Sequence, residues 1–160
     1  MRACDAKVIL RYLGDIKGQL RAVNRELNEL EGDYDGRGSI NYDGMPHGSA
    51  PGDNTAQLAV KMAESGAKRR MEVLLARREE LQGDAGMIRM QTDRLRAVYK
   101  TVLFEHYVYN HSWVKTSIRI RQSEATAKRK GYEGLQRLAE LLEELPMAEE
   151  LLARARVARD

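Results

Sequence analysis

The chain lacks most of what would staple or anchor a small protein. Its 160 residues hold one cysteine, Cys4, which excludes an internal disulfide framework and a cysteine-rich zinc module. Apolar runs extend only a few residues, too short to cross a bilayer. The opening Met1-Arg2-Ala3-Cys4-Asp5 carries an acidic residue and no apolar stretch of signal-peptide length. A reducing cytoplasm is the expected setting. Strand-like alternation is absent throughout, so the fold class expected is all-α. No glycine loop with a phosphate-binding lysine occurs. Charge is nearly balanced, 27 Lys+Arg against 24 Asp+Glu for a net of +3. The length fits one domain, or one small domain with an extension.

What is present is heptad order. Ile9, Leu13, Ile16, Leu20, Val23, Leu27 and Leu30 alternate in steps of four and three, the seam of a coiled coil. This predicts a helix over 6–31 with Asp5 as its N-cap. Residues 32–54 then break every pattern, holding six of the 13 glycines and two of the three prolines; they read as a long loop, either a linker or a functional segment. Leu74, Leu81, Ile88, Leu95 and Val102 repeat at every seventh position. Interior glycine disfavours helix by about 1 kcal/mol relative to alanine, so Gly83 and Gly86 predict a kink or break near Gly83-Asp84. A helix over 55–82 can fold back on the first as an antiparallel hairpin, with parallel self-association of the first helix as the competing arrangement. The expected organisation is a helical hairpin over 1–86, a second module over 87–145 and a short terminal helix over 146–160.

The second module carries the charge asymmetry. From Lys115 to Arg137 seven basic and two acidic side chains leave a local net of +5, whereas 138–150 holds five acidic residues and no basic one. A helix over 87–108 is followed by the turn Asn110-His111-Ser112, a short helix to Ile118, a basic turn, and a longer helix capped by Ser123 with Glu124 in its first turn. Two helices joined by a tight turn, the second opening on a basic turn, are the parts of a helix-turn-helix. The second helix then fits a DNA major groove. The residues expected at DNA are Lys115, Arg119, Arg121, Ser123, Glu124, Ala125, Thr126, Lys128, Arg129 and Lys130. Thr126 and Ala125 have the chemistry to touch base edges; Lys128, Arg129 and Lys130 are suited to phosphates.

These residues resemble a known module. Ser112-Trp113-Val114-Lys115-Thr116-Ser117, Ile120, Ser123 through Arg129, Leu135 and Leu138 look like the promoter-reading helix-turn-helix of bacterial sigma factors, preceded by a matching Val102-Leu103, Tyr107 and Ser112-Trp113. The chain from about Val8 to Leu142 is similar to phage and prophage sigma-like transcriptional regulators related to the RinA and autolysin-regulator (ArpU) activators of late genes. The loop string Gly44-Met45-Pro46-His47-Gly48-Ser49 is its most family-specific feature. The resemblance implies a DNA-binding regulator with duplex DNA as partner, host RNA polymerase as a further contact, and self-association through the N-terminal hairpin. Departures from the pattern are Thr116 and Ser117 in place of an isoleucine–alanine pair, Arg121 at a turn position often held by glycine in the left-handed conformation, Ala127 for valine, and His106 for arginine. Gly131 and Gly134 are expected to loosen the second helix, making a softer module.

Other clusters read as structural. His106 and His111, five apart, lack partners for a metal set; His47 has no marked nucleophile or base beside it. Trp113 is expected in the core against Phe104 and Tyr107, Tyr34 and Tyr42 as loop aromatics, and Glu79-Glu80 and Glu143-Glu144 as solvated neighbours. No cofactor, metal or catalytic residue is expected, and the chain is not read as an enzyme. The rival readings are a small DNA-recognition subunit of a phage packaging motor and a helical scaffold or adaptor that binds no nucleic acid.

Overall fold

Helices form where the apolar spacing asks for them, with ends that differ from the expected ones. In the computed structural model residues 1–37 and 53–158 are described, side chains at 32–37, 53–59, 61 and 62 excepted. All described regular structure is helical: α1 (Ala3–Arg37), α2 (Asp53–Asp93), α3 (Ala97–Leu103), a π-helical turn (Phe104–Val108), α4 (Trp113–Arg119), α5 (Glu124–Glu143) and α6 (Ala148–Val157). Among the described residues no helix is long and apolar enough to cross a membrane. The Gly44–Ser49 string, with its His47, and Tyr42 lie outside the described residues, as does the side chain of Tyr34.

Several boundaries correct the sequence expectation. Asp5 is not the N-cap of α1: it sits in the first turn, and its carboxylate accepts the Arg2 amide at 3.1 Å. α1 and α2 reach into the stretch expected as loop, to Arg37 and from Asp53, because extending a formed helix requires far less than nucleating one. α2 runs through Gly83 and Gly86 without the expected break. Leu81 and Ile88, either side of those glycines, are fully buried, and burying two such side chains gains about 3–6 kcal/mol, more than two glycines lose. The helix instead stops at Asp93, inside the span 87–108 expected to be continuous. There the Arg94 and Leu95 amides turn back to Gln91 and Thr92, three residues away, and Arg96 adopts an extended conformation.

The chain folds as two compact units, Met1–Gln19 with Leu81–Asp160, and Leu20–Glu80. The first nineteen residues, drawn into the hairpin by the heptad spacing, thus fold with the C-terminal part. In that larger unit α1 buries Ile9, Leu13 and Ile16, as the heptads predict, and also Ala6, Leu10 and Tyr12, a wider arc than a two-position seam. α5 buries Ala127, Gly131, Gly134, Leu135, Leu138, Ala139 and Leu142, a stripe at helical spacing that packs on α3 and α4. Gly131 and Gly134 are points of close approach on this helix. A Cβ at Gly131 would stand 2.6 Å from Trp113 Cη2, and one at Gly134 would stand 3.3 Å from Leu103, so the glycines let ring and helix come close. Likewise a Cβ at Gly14 of α1 would meet the Val108 carbonyl at 2.6 Å.

α6 is tied in by charge. Asp84, 1% exposed, accepts from the Tyr12 hydroxyl at 2.9 Å and from Arg154 Nε and Nη2 at 2.9 and 2.7 Å. Arg156 donates to Asp5 at 3.0 Å, and the Asp5 carboxyl is held below the usual range: burial opposes this, but the Arg2 amide, the Arg156 hydrogen bond and both guanidinium charges outweigh it. In the Leu20–Glu80 unit only Leu27 of the seam is buried, while Leu20, Val23, Leu30, Ala67, Met71 and Leu74 stay half-buried. Arg70 donates to Glu26 there.

Candidate nucleic-acid interface

The residues from Ser112 to Arg137 form two helices with a tight turn between them, each opened by a serine. Ser112 adopts an extended conformation before α4 and its hydroxyl accepts the Lys115 amide; Ser123 does the same before α5, accepting the Thr126 amide at 3.2 Å. The turn is closed by Arg121, whose φ of 54° lies in the left-handed region that side-chain-bearing residues enter at a cost of about 1–2 kcal/mol. The resemblance to sigma-type modules implies this conformation here. Amides of Arg121 and Gln122 return to the carbonyls of Ile118 and Ser117, which fixes the angle at which α5 leaves.

α4 is seated by polar and aromatic contacts. Thr116 and Ser117 are buried, with their hydroxyls donating to the carbonyls of Ser112 at 3.0 Å and Val114 at 2.8 Å. These back-bonds let polar side chains fill positions where an apolar pair was the pattern. Trp113 stacks on His106 with ring centres 3.7 Å apart and meets Tyr107 edge-on at 6.1 Å. Phe104, expected beside Trp113, pairs instead with Tyr109, because the π-helical turn rotates the residues after it. Burial in this stack pushes the His106 imidazole below its ordinary range, the charges of Arg11 and Lys7 add to the effect, and the hydrogen bond donated to the His111 carbonyl opposes it.

The candidate contact residues divide by what they touch. On α5, Ala125, Lys128, Arg129, Tyr132 and Gln136 face solvent, with Lys128 and Arg129 side by side and each within three or four positions of Ala125 and Tyr132, so that they form one exposed face. Lys128 pairs with Glu124 at 2.6 Å and Arg129 lies 3.9 Å from Glu133. Thr126 is half-buried and its hydroxyl is bonded to that of Ser123 at 2.8 Å, so its side chain completes the cap. Lys130 is half-buried, Arg121 exposed, and neither makes an ion pair among the described residues. On α4, Arg119 Nε donates to Glu105 at 3.1 Å and Lys115 Nζ to His111 Nε2 at 3.1 Å. Arg137, counted in the basic run, lies over the Tyr99 ring at 4.9 Å, and the Tyr99 hydroxyl donates to Glu133 at 2.9 Å.

Two residues that matter here escaped the sequence reading. Glu105 is buried, accepting from Arg119 and from His111 Nδ1 at 2.8 Å, so His111 is no bare turn histidine. A single carboxylate inside Val102-Leu103-Phe104-Glu105-His106-Tyr107-Val108 was the available signal, since a buried charge requires partners. Tyr132, 70% exposed on α5, was the other. Among the described residues no group of three metal-ligating side chains comes together. No protein-family model, curated protein or solved structure matches the chain.

Proposed function

We propose that this chain is a phage-type, DNA-binding transcription regulator that reads duplex DNA with α4–turn–α5 as a sigma-like helix-turn-helix. The observation that carries the reading is the outward column of α5: the first two turns present Ala125, Lys128 and Arg129 to solvent while Ala127, Gly131 and Leu135 seat the opposite face. A helix with seated back, capped start and cationic front has the form that lodges in a major groove about 12 Å wide. Lys128, Arg129, Lys130 and Arg121 contact phosphates and release counterions, and Ala125 approaches base edges, with Ser123, Glu124 and Thr126 building the cap behind it. The setting is the host cytoplasm, with RNA polymerase as a further partner.

The reading includes an antiparallel α1–α2 hairpin that self-associates. In the larger unit Tyr12 of α1 meets Asp84 of α2, and in the Leu20–Glu80 unit Glu26 of α1 meets Arg70 of α2; each contact by itself supports pairing of the two helices. Within Leu20–Glu80 the half-buried seam and the exposed Val73 and Leu75 offer apolar surface to a second copy.

The test is a fluorescence-anisotropy titration of duplex DNA across salt. Binding should weaken linearly in log–log terms, and Lys128→Ala and Arg129→Ala should each flatten the slope by about 0.9, one phosphate contact. A parent protein with no salt slope, or both variants binding like the parent, overturns the reading.

A further inference from the structure

Glu105 has a role the DNA reading leaves unused. Its side chain, 8% exposed, lies beneath two cations of α4. One carboxylate oxygen accepts from Arg119 Nε at 3.1 Å, the other from His111 Nδ1 at 2.8 Å. Lys115 Nζ, which can only donate, sits 3.1 Å from Nε2, an arrangement that the tautomer with its proton on Nδ1 fits at both nitrogens. One buried negative charge therefore engages Arg119 directly and Lys115 through the imidazole. The π-helical turn builds the arrangement: the His111 amide closes on the Glu105 carbonyl at 3.0 Å and Asn110 takes a φ of 54°, which brings residues 105 and 111 side by side.

We propose that Glu105 is a positioning residue that stands in for a DNA phosphate, withholding Arg119 and Lys115 from the duplex and setting how many cations the face offers. This rests on the reading of α5 above. A desolvated carboxylate within hydrogen-bond distance of a guanidinium repels a phosphate approaching the same group, and it does not leave, because burial without its partners is strongly unfavourable. Arg119, two-thirds exposed, is thus visible to solvent yet already neutralised.

Glu105→Gln isolates the charge. The amide can still accept from Arg119, but its NH2 faces His111 Nδ1 as a donor. The ring proton then moves to Nε2, which can no longer accept from Lys115. Arg119 keeps a hydrogen bond but loses the charge that neutralised it, and Lys115 loses its acceptor, without a large change of shape. In anisotropy titrations from roughly 50 to 200 mM salt, each added phosphate contact steepens the slope by about 0.9, about 3.5-fold more affinity lost over that range. Glu105→Gln should bind more tightly than the parent at the low end, with a slope steeper by one to two such contacts. Adding Arg119→Ala to it should remove one. His111→Ala, which removes the acceptor for Lys115 on a half-exposed turn, should steepen the slope by one contact even if the buried substitution does not fold. A residue that merely anchors α4 would give weaker binding with an unchanged or shallower slope in both variants, and that result overturns the proposal. A parent protein without any salt slope takes down the α5 reading along with it; a parent with a slope and unaltered variants refutes the Glu105 proposal alone.

Discussion

Replacing Gly131 by alanine sets two well-known effects against each other in one helix. Alanine favours a helix interior over glycine by about 1 kcal/mol. Against that, the new Cβ would lie 2.6 Å from Trp113 Cη2 and 3.1 Å from Cζ3. The indole cannot swing aside, because one face is stacked on His106 at 3.7 Å and its edge meets Tyr107. Forcing a methyl into such a site costs about 1–3 kcal/mol. With the indole held on two sides the cost lies in the upper part of that range, about 2–3 kcal/mol, so the net expectation is a loss of about 1–2 kcal/mol. Gly83, in the same compact unit but exposed in α2 with nothing within 4 Å of its added Cβ, feels only the propensity term, so Gly83→Ala should gain up to about 1 kcal/mol. Urea titrations followed by helical circular dichroism report both, and each kcal/mol corresponds to a melting shift of roughly 2–4 °C. Trp113→Phe, with its shorter ring, should restore part of the loss in the Gly131→Ala background and none in the Gly83→Ala background. If Gly131→Ala is as stable as the parent, the close approach of Trp113 to α5 is not what holds that glycine in place.

Further substitutions probe other parts of the larger unit. Asp84→Ala leaves the Arg154 guanidinium and the Tyr12 hydroxyl without their buried acceptor, and calorimetry should show a loss of about 3–5 kcal/mol; Asp84→Leu with Arg154→Met should recover most of it. Gly14→Ala places a methyl against the unyielding Val108 carbonyl, so its melting temperature should fall further than that of Gly131→Ala. His106 has its folded-state pKa lowered, so the native chain binds fewer protons than the unfolded one and stability rises with pH. The contribution is complete above histidine's unfolded value of about 6.5 and is lost as pH falls through the folded value; urea midpoints at pH 7.5 and 5 should differ less in His106→Phe than in the parent. Arg121→Gly relieves the left-handed conformation and should stabilise the turn by up to about 1 kcal/mol in the same urea titrations, while flattening the DNA salt slope by one contact.

How far the sequence reveals this structure depends on whether a feature is local. Ile9, Leu13 and Ile16 are buried as their spacing foretells, and Ser123 caps α5 because the serine and the Thr126 amide that donates to it are three residues apart. The left-handed conformation of Arg121 is not legible from the residue itself, since arginine has no preference for it. Nor is the end of α2 at Asp93: no glycine or proline marks 92–97, and the chain turns there with Leu95, just beyond the helix, buried, a tertiary matter. The glycines mislead in both directions for the same reason. Gly83 and Gly86 look like breaks but are carried through by buried neighbours, and Gly131 and Gly134 look like weaknesses but are contact points for Trp113 and Leu103. At the candidate site the exposed column of α5 is readable from helical periodicity, whereas Glu105 acquires its partners only because a π-helical turn brings residue 111 back beside it.

Charge counted along a chain and charge offered to a ligand are different quantities, and the stretch from Lys115 to Arg137 shows how they part. The acids paired with Lys128 and Arg129 lie on the same helix at a spacing of four and at the surface. Such pairs are individually weak and salt-sensitive, so an incoming anion displaces them readily. The acid beneath Arg119 is buried and doubly bonded, and it yields only if the core around it opens. Arg137 is spread over a ring. The same sequence charge is therefore graded by burial into cations that α5 releases easily and cations that α4 keeps, and the grading follows the depth of each partner carboxylate. An anion meeting this surface responds to that depth, which is why neutralising Glu105 is expected to change the salt dependence of binding more than removing an exposed acid such as Glu124.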